Sequence, residues 1–245
     1  MRLKCPFFFF LSLSLFISQL FATTLLDKFK NSHEGDFAVF EQQKQITLFR
    51  IAKKTDQEMV VEEVTATAQP ADSNWQEWLT DGAVTHTSWT LSRFNLSTGA
   101  IESIYSYGTN EWIQADGAKE ATFTFLPTLF TLPLVSVADK DRKRIGPPPE
   151  AGDQERRKLW VPKVIFQGKI ETLPFHVFRV EWPKDVTELS GKTIYLYLPE
   201  DSKNSDCLDY FPYWVEVIGK VSKVKLRVID SGKNLTSPAY LPAHL

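Results

Sequence analysis

Metal or acid–base chemistry would begin at the four histidines, His33, His86, His176 and His244. None has another histidine or a cysteine at ligand spacing. Structural zinc takes clustered Cys and His, and catalytic zinc takes a pair such as H-E-x-x-H. Neither pattern occurs, so no metal site and no cofactor is expected. His176 stands between Phe175 and Val177, the setting of a core or surface histidine. Nucleophiles fare no better, because the chain holds no G-x-S-x-G elbow. Cys207 lies in a polar stretch between Asp206 and Asp209, where neighbouring carboxylates disfavour the thiolate. With 11 glycines and no G-x-G-x-x-G or Walker pattern, a phosphate-cradling loop is absent too.

Glu62 and Glu63 are adjacent on a predicted strand, so they point to opposite faces and cannot share acid–base work. Glu62 has Val60 and Val64 on its own side and reads as an edge or rim position. Lys140, Arg142, Lys143 and Arg144 are interleaved with Asp139 and Asp141. That cluster is either a solvated loop or, through Arg142, Lys143 and Arg144, a contact for anionic lipid headgroups or a charged partner. Lys220, Lys223, Lys225 and Arg227 form a second basic stripe, of the kind that guards a strand against edge-to-edge pairing. No catalytic motif emerges, and no enzymatic activity is expected.

The strongest functional hint is apolar. Phe125 to Val137 carries no charge and contains Pro127 and Pro133, which prevent a clean strand or a long helix. Leu126, Leu129, Phe130, Leu132 and Leu134 give it more apolar surface than a short connector needs. Beneath a sheet it would be core. Across the mouth of a concave sheet it would be a lid over an apolar cavity. Trp75 and Trp78, at i and i+3 on one face of a short helix capped by Ser73, can pin that helix to the sheet or serve as a ligand platform.

The elements that must position these residues are mostly strands. A helix is predicted over Thr23 to Asn31. Alternating runs then predict strands at Phe37 to Gln42, Ile46 to Ala52, Met59 to Thr67, Ser88 to Leu96 and Ile101 to Tyr107. Ala121 to Phe125 adds a short one. Later runs fall at Leu159 to Gly168, Phe175 to Trp182, Thr193 to Leu198, Tyr213 to Gly219 and Ser222 to Asp230. Short loops between consecutive strands mean antiparallel pairing, and no βαβ alternation is visible. The expected fold is mainly β: a large curved antiparallel sheet, half-barrel or barrel, with two or three short helices on its concave side. The charged, proline-rich stretch at about 139–158 is expected to be a mobile loop.

The chain has 245 residues, 43% of them apolar, and a formal charge of −2, which excludes a mainly disordered chain, a multi-span membrane protein and a basic nucleic-acid binder. Arg2 and Lys4 precede an apolar run from Phe7 to Phe16, and Leu20-Phe21-Ala22 offers a cleavage point. This is the pattern of a secretory signal peptide over residues 1–22. The run is also shorter than the ~20 residues a spanning helix needs. Residues 23–245 then form a single domain in which Cys207 is the sole cysteine.

The chain end reads Tyr210-Phe211-Pro212-Tyr213-Trp214-Val215-Glu216-Val217, then Lys225-Leu226-Arg227-Val228-Ile229-Asp230-Ser231. With the signal peptide, the first helix and the antiparallel meander, this layout resembles the periplasmic lipoprotein-carrier (Lol-type) superfamily. The resemblance implies reversible binding of acyl chains in a half-barrel, without catalysis. The function expected is therefore that of an exported protein, of the periplasm or cell envelope, binding a lipid or lipoprotein acyl chain, with a membrane surface as a further partner. The alternative is a secreted or envelope β-domain with a filled core that acts through its surface.

Overall fold

The computed structural model describes residues 23–42, 45–67, 74–114, 128–166, 169–200, 207–219 and 223–243. The signal-peptide segment, the 121–125 strand, Leu126 and Ser73 lie outside the described residues. Among the described residues, no helix is long and apolar enough to cross a membrane.

The chain opens on helix α1, Leu25–Phe29. Thr24 caps it: the Thr24 hydroxyl accepts from the Asp27 amide at 3.2 Å, and Asp27 Oδ2 accepts from the Thr24 amide at 3.0 Å. This reciprocal box satisfies two of the helix's orphan donors. Strands β1 (Phe37–Gln42), β2 (Gln45–Lys54) and β3 (Glu58–Ala66) follow as a meander. Helix α2, Trp75–Thr80, interrupts them, with Asn74 as its cap. Strands β4 (His86–Asn95), β5 (Ile101–Ser106) and β6 (Glu111–Gln114) complete the first half. A helical turn at residues 128–131 precedes β7 (Val135–Ser136) and a 3-10 turn at Asp139–Asp141. Then come β8 (Val164–Phe166), β9 (Lys169–Glu171), β10 (Phe175–Glu181), β11 (Thr193–Pro199), β12 (Trp214–Ile218) and β13 (Lys223–Gly232).

Eleven strands form one sheet in the order β6-β5-β4-β3-β2-β1-β13-β12-β11-β10-β7, and β8 and β9 form a separate hairpin. All the pairings are antiparallel, and β1 against β13 joins the two halves. The sheet is curved and open, not a closed barrel.

Period-2 alternation divides this sheet into two working faces. Ala38, Phe49, Glu63 and Thr90 stand opposite one another across β1, β2, β3 and β4, on one face. Val39, Leu48, Val64 and Trp89 make the neighbouring row, on the other. Leu25, Leu26 and Phe29 of α1 join the main core with Ala38, Phe40, Val61 and Phe94. Trp75, Trp78 and Leu79 of α2 join a second core with Val39, Leu48 and Val64. The helices thus cover opposite faces, where the sequence reading put them together on one concave side. Composition gives no warning of this, since both helices are short and apolar on one side.

The C-terminal tail crosses the α2 face. It starts where Gly35 meets Asn234: the Gly35 φ of +84° suits glycine, and a Cβ there would fall 2.9 Å from the Asn234 Cα. The Leu235 amide donates to the Gly35 carbonyl at 2.9 Å. Farther on, the Ser237 hydroxyl donates to Glu62 at 2.6 Å, and the Tyr107 hydroxyl donates to the Tyr240 carbonyl at 2.6 Å.

Candidate ligand cavity

Between the α1 face of the sheet and its cover lies a cavity of about 440 Å³. This is within the ~300–1,000 Å³ range of sites that bury small ligands. Strands β1 to β5 provide the floor. The cover comes from α1, the 128–131 turn and the segment around Phe211.

One end is aromatic. Phe29 meets Phe130 at 5.0 Å and Phe211 at 5.4 Å between ring centroids. Phe40 packs edge-on against Phe49 at 5.2 Å and tilted against Phe211 at 5.2 Å. Phe94 reaches Phe130 at 5.2 Å. These rings come from α1, three strands and two connectors, so no single stretch of sequence contains the site. The other end is polar, with Thr47, Ser88, Thr90 and Ser92 beside Glu63 on the sheet face.

Two carboxylates line the cavity, Asp36 and Glu63. Asp36 is satisfied: its Oδ2 accepts from the Tyr210 hydroxyl at 2.6 Å and from the His33 amide at 2.8 Å. Burial and the Asp36 charge hold the Tyr210 phenol far above its ordinary pKa, so it remains a donor. Glu63 differs. It is partly buried, has Phe49 and Thr90 directly opposite, and makes no hydrogen bond or ion pair with any described residue. Burial raises its carboxyl above the ordinary value near 4.5.

Of the residues singled out in the sequence, Leu129 and Phe130 line this cavity. Leu134 is buried in the surrounding core, and Leu132 packs against that core from the outside. Trp75 and Trp78 do not reach it. They belong to the opposite face, where the Trp75 indole donates to Asp230 at 2.8 Å and the Trp78 indole to the Val84 carbonyl at 3.2 Å. Their role is to pin α2 to the sheet.

Arg142, Lys143 and Arg144 are engaged within the protein. The Arg142 side chain is 11% exposed and pairs with Asp139 at 3.2 Å. The Lys143 ammonium sits 4.4 Å above the Trp160 ring. Arg144 donates to the Arg157 carbonyl at 2.7 Å and to the Asp139 carbonyl at 3.0 Å. Backbone bonds from Ile145 to Lys158 and from Trp160 to Lys143 close the base of the 139–158 loop. The two arginines brace the loop, while Arg142 Nε is buried without a hydrogen-bond partner among the described residues and Lys143 stays exposed. Cys207 is likewise buried in the main core despite its acidic neighbours.

The rim reading of Glu62 is overturned. Its side chain is fully buried on the α2 face. Arg50 Nε donates to it at 2.6 Å, the Trp89 indole at 2.8 Å and the Ser237 hydroxyl at 2.6 Å. A carboxylate held by three donors is a structural anchor for the tail. Sequence reasoning also passed over Phe29, Phe49, Phe211 and Glu63. For Glu63 the signal was there: alternation places it on one side with Met59 and Val61, an odd neighbour for a carboxylate.

The chain matches the model of the family described as CT021 protein over residues 47–172. That is half of the chain. The chain belongs to the CT021 family. The matched stretch begins in β2 and ends just past β9, so it contains Glu63, Leu129 and Phe130. Among solved structures, the chain is similar to the hypothetical protein CT021 from Chlamydia trachomatis, solved at 2.0 Å. The TM-score is 0.64 at 19% identity, covering 91% of this chain and 98% of that chain. This likeness shows a shared fold along nearly the whole length of both chains. No curated protein matches.

Proposed function

We propose that this protein is a non-enzymatic binding protein that takes an apolar chain, such as the acyl chain of a lipid or lipoprotein, into the cavity beneath α1. The observation that carries the reading is the cavity itself. It opens between a sheet face and a cover of phenylalanines, where a fully packed β-domain would place side chains. Each methylene moved from water into such a site contributes about 0.8 kcal/mol. The aromatic rings set the shape of a slender chain, and the hydroxyls of Thr90, Ser88 and Ser92 give its polar end somewhere to rest. The pattern of residues 1–22 supports export, and with it a carrier role in a periplasm or envelope.

Native mass spectrometry of the mature protein, purified from its own compartment and followed by lipid extraction, tests this. A co-purified acyl species at one per chain is the expected result. A clean unliganded mass, unaltered when lipids are offered, overturns the proposal in favour of a β-domain acting through its surface.

A further inference from the structure

We propose that the cavity selects its ligand by the head as well as the chain, and that the head is a protonated amine held by Glu63. The inference rests on the chain-binding reading above and adds the class of amphiphile.

The charges in the wall argue for it. Asp36 and Glu63 are the ionisable acids of the lining, and no lysine, arginine or histidine lines the cavity among the described residues. Asp36 already has its donors. Glu63 has none, although its neighbours would permit one. Strand β2 presents Thr47 and Phe49 toward it, and β4 presents Ser88, Thr90 and Ser92. None of these bears a charge. A half-buried carboxylate with only neutral neighbours and no partner is costly, and a cation placed beside it removes much of that cost.

A fatty acid would do the opposite. Its carboxylate would set a second negative charge against Glu63 in a half-buried site. An alcohol would supply one neutral donor. An ammonium supplies three donors, one for Glu63 and two for the surrounding hydroxyls.

The experiment compares three ligands with the same chain: dodecylammonium, dodecanol and dodecanoate. Each displaces a neutral naphthylamine dye from the mature protein at neutral pH, below its micellar concentration. The expected order places dodecylammonium at least about tenfold tighter than dodecanol, and dodecanoate weakest. In Glu63→Gln the ammonium-to-alcohol ratio is expected to fall to within about twofold. If dodecanoate binds as tightly as dodecylammonium, or if the ratio survives in Glu63→Gln, the amine assignment is wrong while chain binding stands. If neither the dye nor any of the three ligands binds, the chain-binding reading falls and this inference with it. Should Glu63→Gln fail to fold, the wild-type order alone decides: equal affinities for the three heads overturn the proposal.

Discussion

Glu62 and Glu63 are neighbours in sequence with opposite fates, because a strand sends adjacent side chains to opposite faces. Glu62 is buried with Arg50, Trp89 and Ser237 around it. Glu62→Ala leaves the Arg50 cation and the Trp89 indole without their acceptor. We expect a loss of about 3–5 kcal/mol, the usual cost of breaking a buried pair on one side, read as a lower urea midpoint. Glu63→Leu should act in the other direction, because it removes an unpartnered, half-buried carboxyl. A gain of about 0.5–2 kcal/mol is typical when a binding residue is traded for packing. The gain has a pH signature. The folded-state pKa of Glu63 is raised, so the native protein binds its proton more tightly than the unfolded chain. The contribution of Glu63 to stability is therefore full below the ordinary value near 4.5 and declines as pH rises through the raised folded value. Urea titrations of wild type and Glu63→Leu at a series of pH values should diverge as pH rises across that window. Curves that stay parallel would mean the carboxyl has found a partner.

At the scale of elements, α1 is the weak wall of the cavity. Five residues cannot sustain a helix alone. It is held by the Thr24–Asp27 box and by Phe29 among the rings of Phe130 and Phe211. Thr24→Ala should cost about 1 kcal/mol and weaken chain binding, measured by thermal melting and dye displacement on the same sample. The hydrogen bond from Lys30 lowers the Asp27 carboxyl to about 2 from an ordinary 3.8. Its stabilising share is present above 3.8 and lost as pH falls toward 2. Most strands of this fold were legible because alternation is a local signal: β1 matches its predicted range and β2 to β5 and β10 to β13 shift by one or two residues at their ends, whereas the run predicted at Leu159 to Gly168 holds only β8, Val164–Phe166, and the short β7 and β9 were not predicted. Strand β6 was missed because Glu111–Gln114 is four residues long, with one intermediate and three exposed positions and little alternation to see. The side chosen by each helix was not legible, because it depends on which strand parity faces it. The first half of β3 shows the limit well. Its alternation was plain in the sequence, but which side faced a cavity and which faced a tail was settled only by elements far away in the chain.

For the whole molecule, the open sheet needs both faces covered, and the two covers are built differently. On the cavity face the cover is α1, the 128–131 turn and the Phe211 segment, which leave a space. On the other face α2 packs the sheet closely, with Val39, Leu48 and Val64 all buried, and the end of the tail leaves a smaller space of about 280 Å³ over Val60 and Leu91. The tail continues past α2 over Trp89, Tyr107 and Tyr105, where Tyr240 stacks edge-on against Tyr107 at 6.0 Å and meets the Tyr105 hydroxyl at 3.0 Å. None of this was visible in the sequence, because a tail of prolines and small residues has no period. The asymmetry gives a test that separates the two faces. Ending the chain before Ser237 removes a donor from Glu62 and the Tyr240 contacts, so it exposes aromatic surface on the packed face alone. We expect lower stability, by about 0.5–1.5 kcal/mol for each hydrogen bond lost, together with a red-shifted tryptophan emission from Trp89. Chain affinity per folded molecule should change little, since the cavity lies across the sheet from the tail. Conversely, Phe130→Ala should weaken dye and chain binding severalfold while leaving Trp89 emission in place. If the truncated chain loses ligand affinity as strongly as Phe130→Ala does, the two faces are mechanically coupled through β3, and the sheet is a participant in binding where the present geometry makes it a floor.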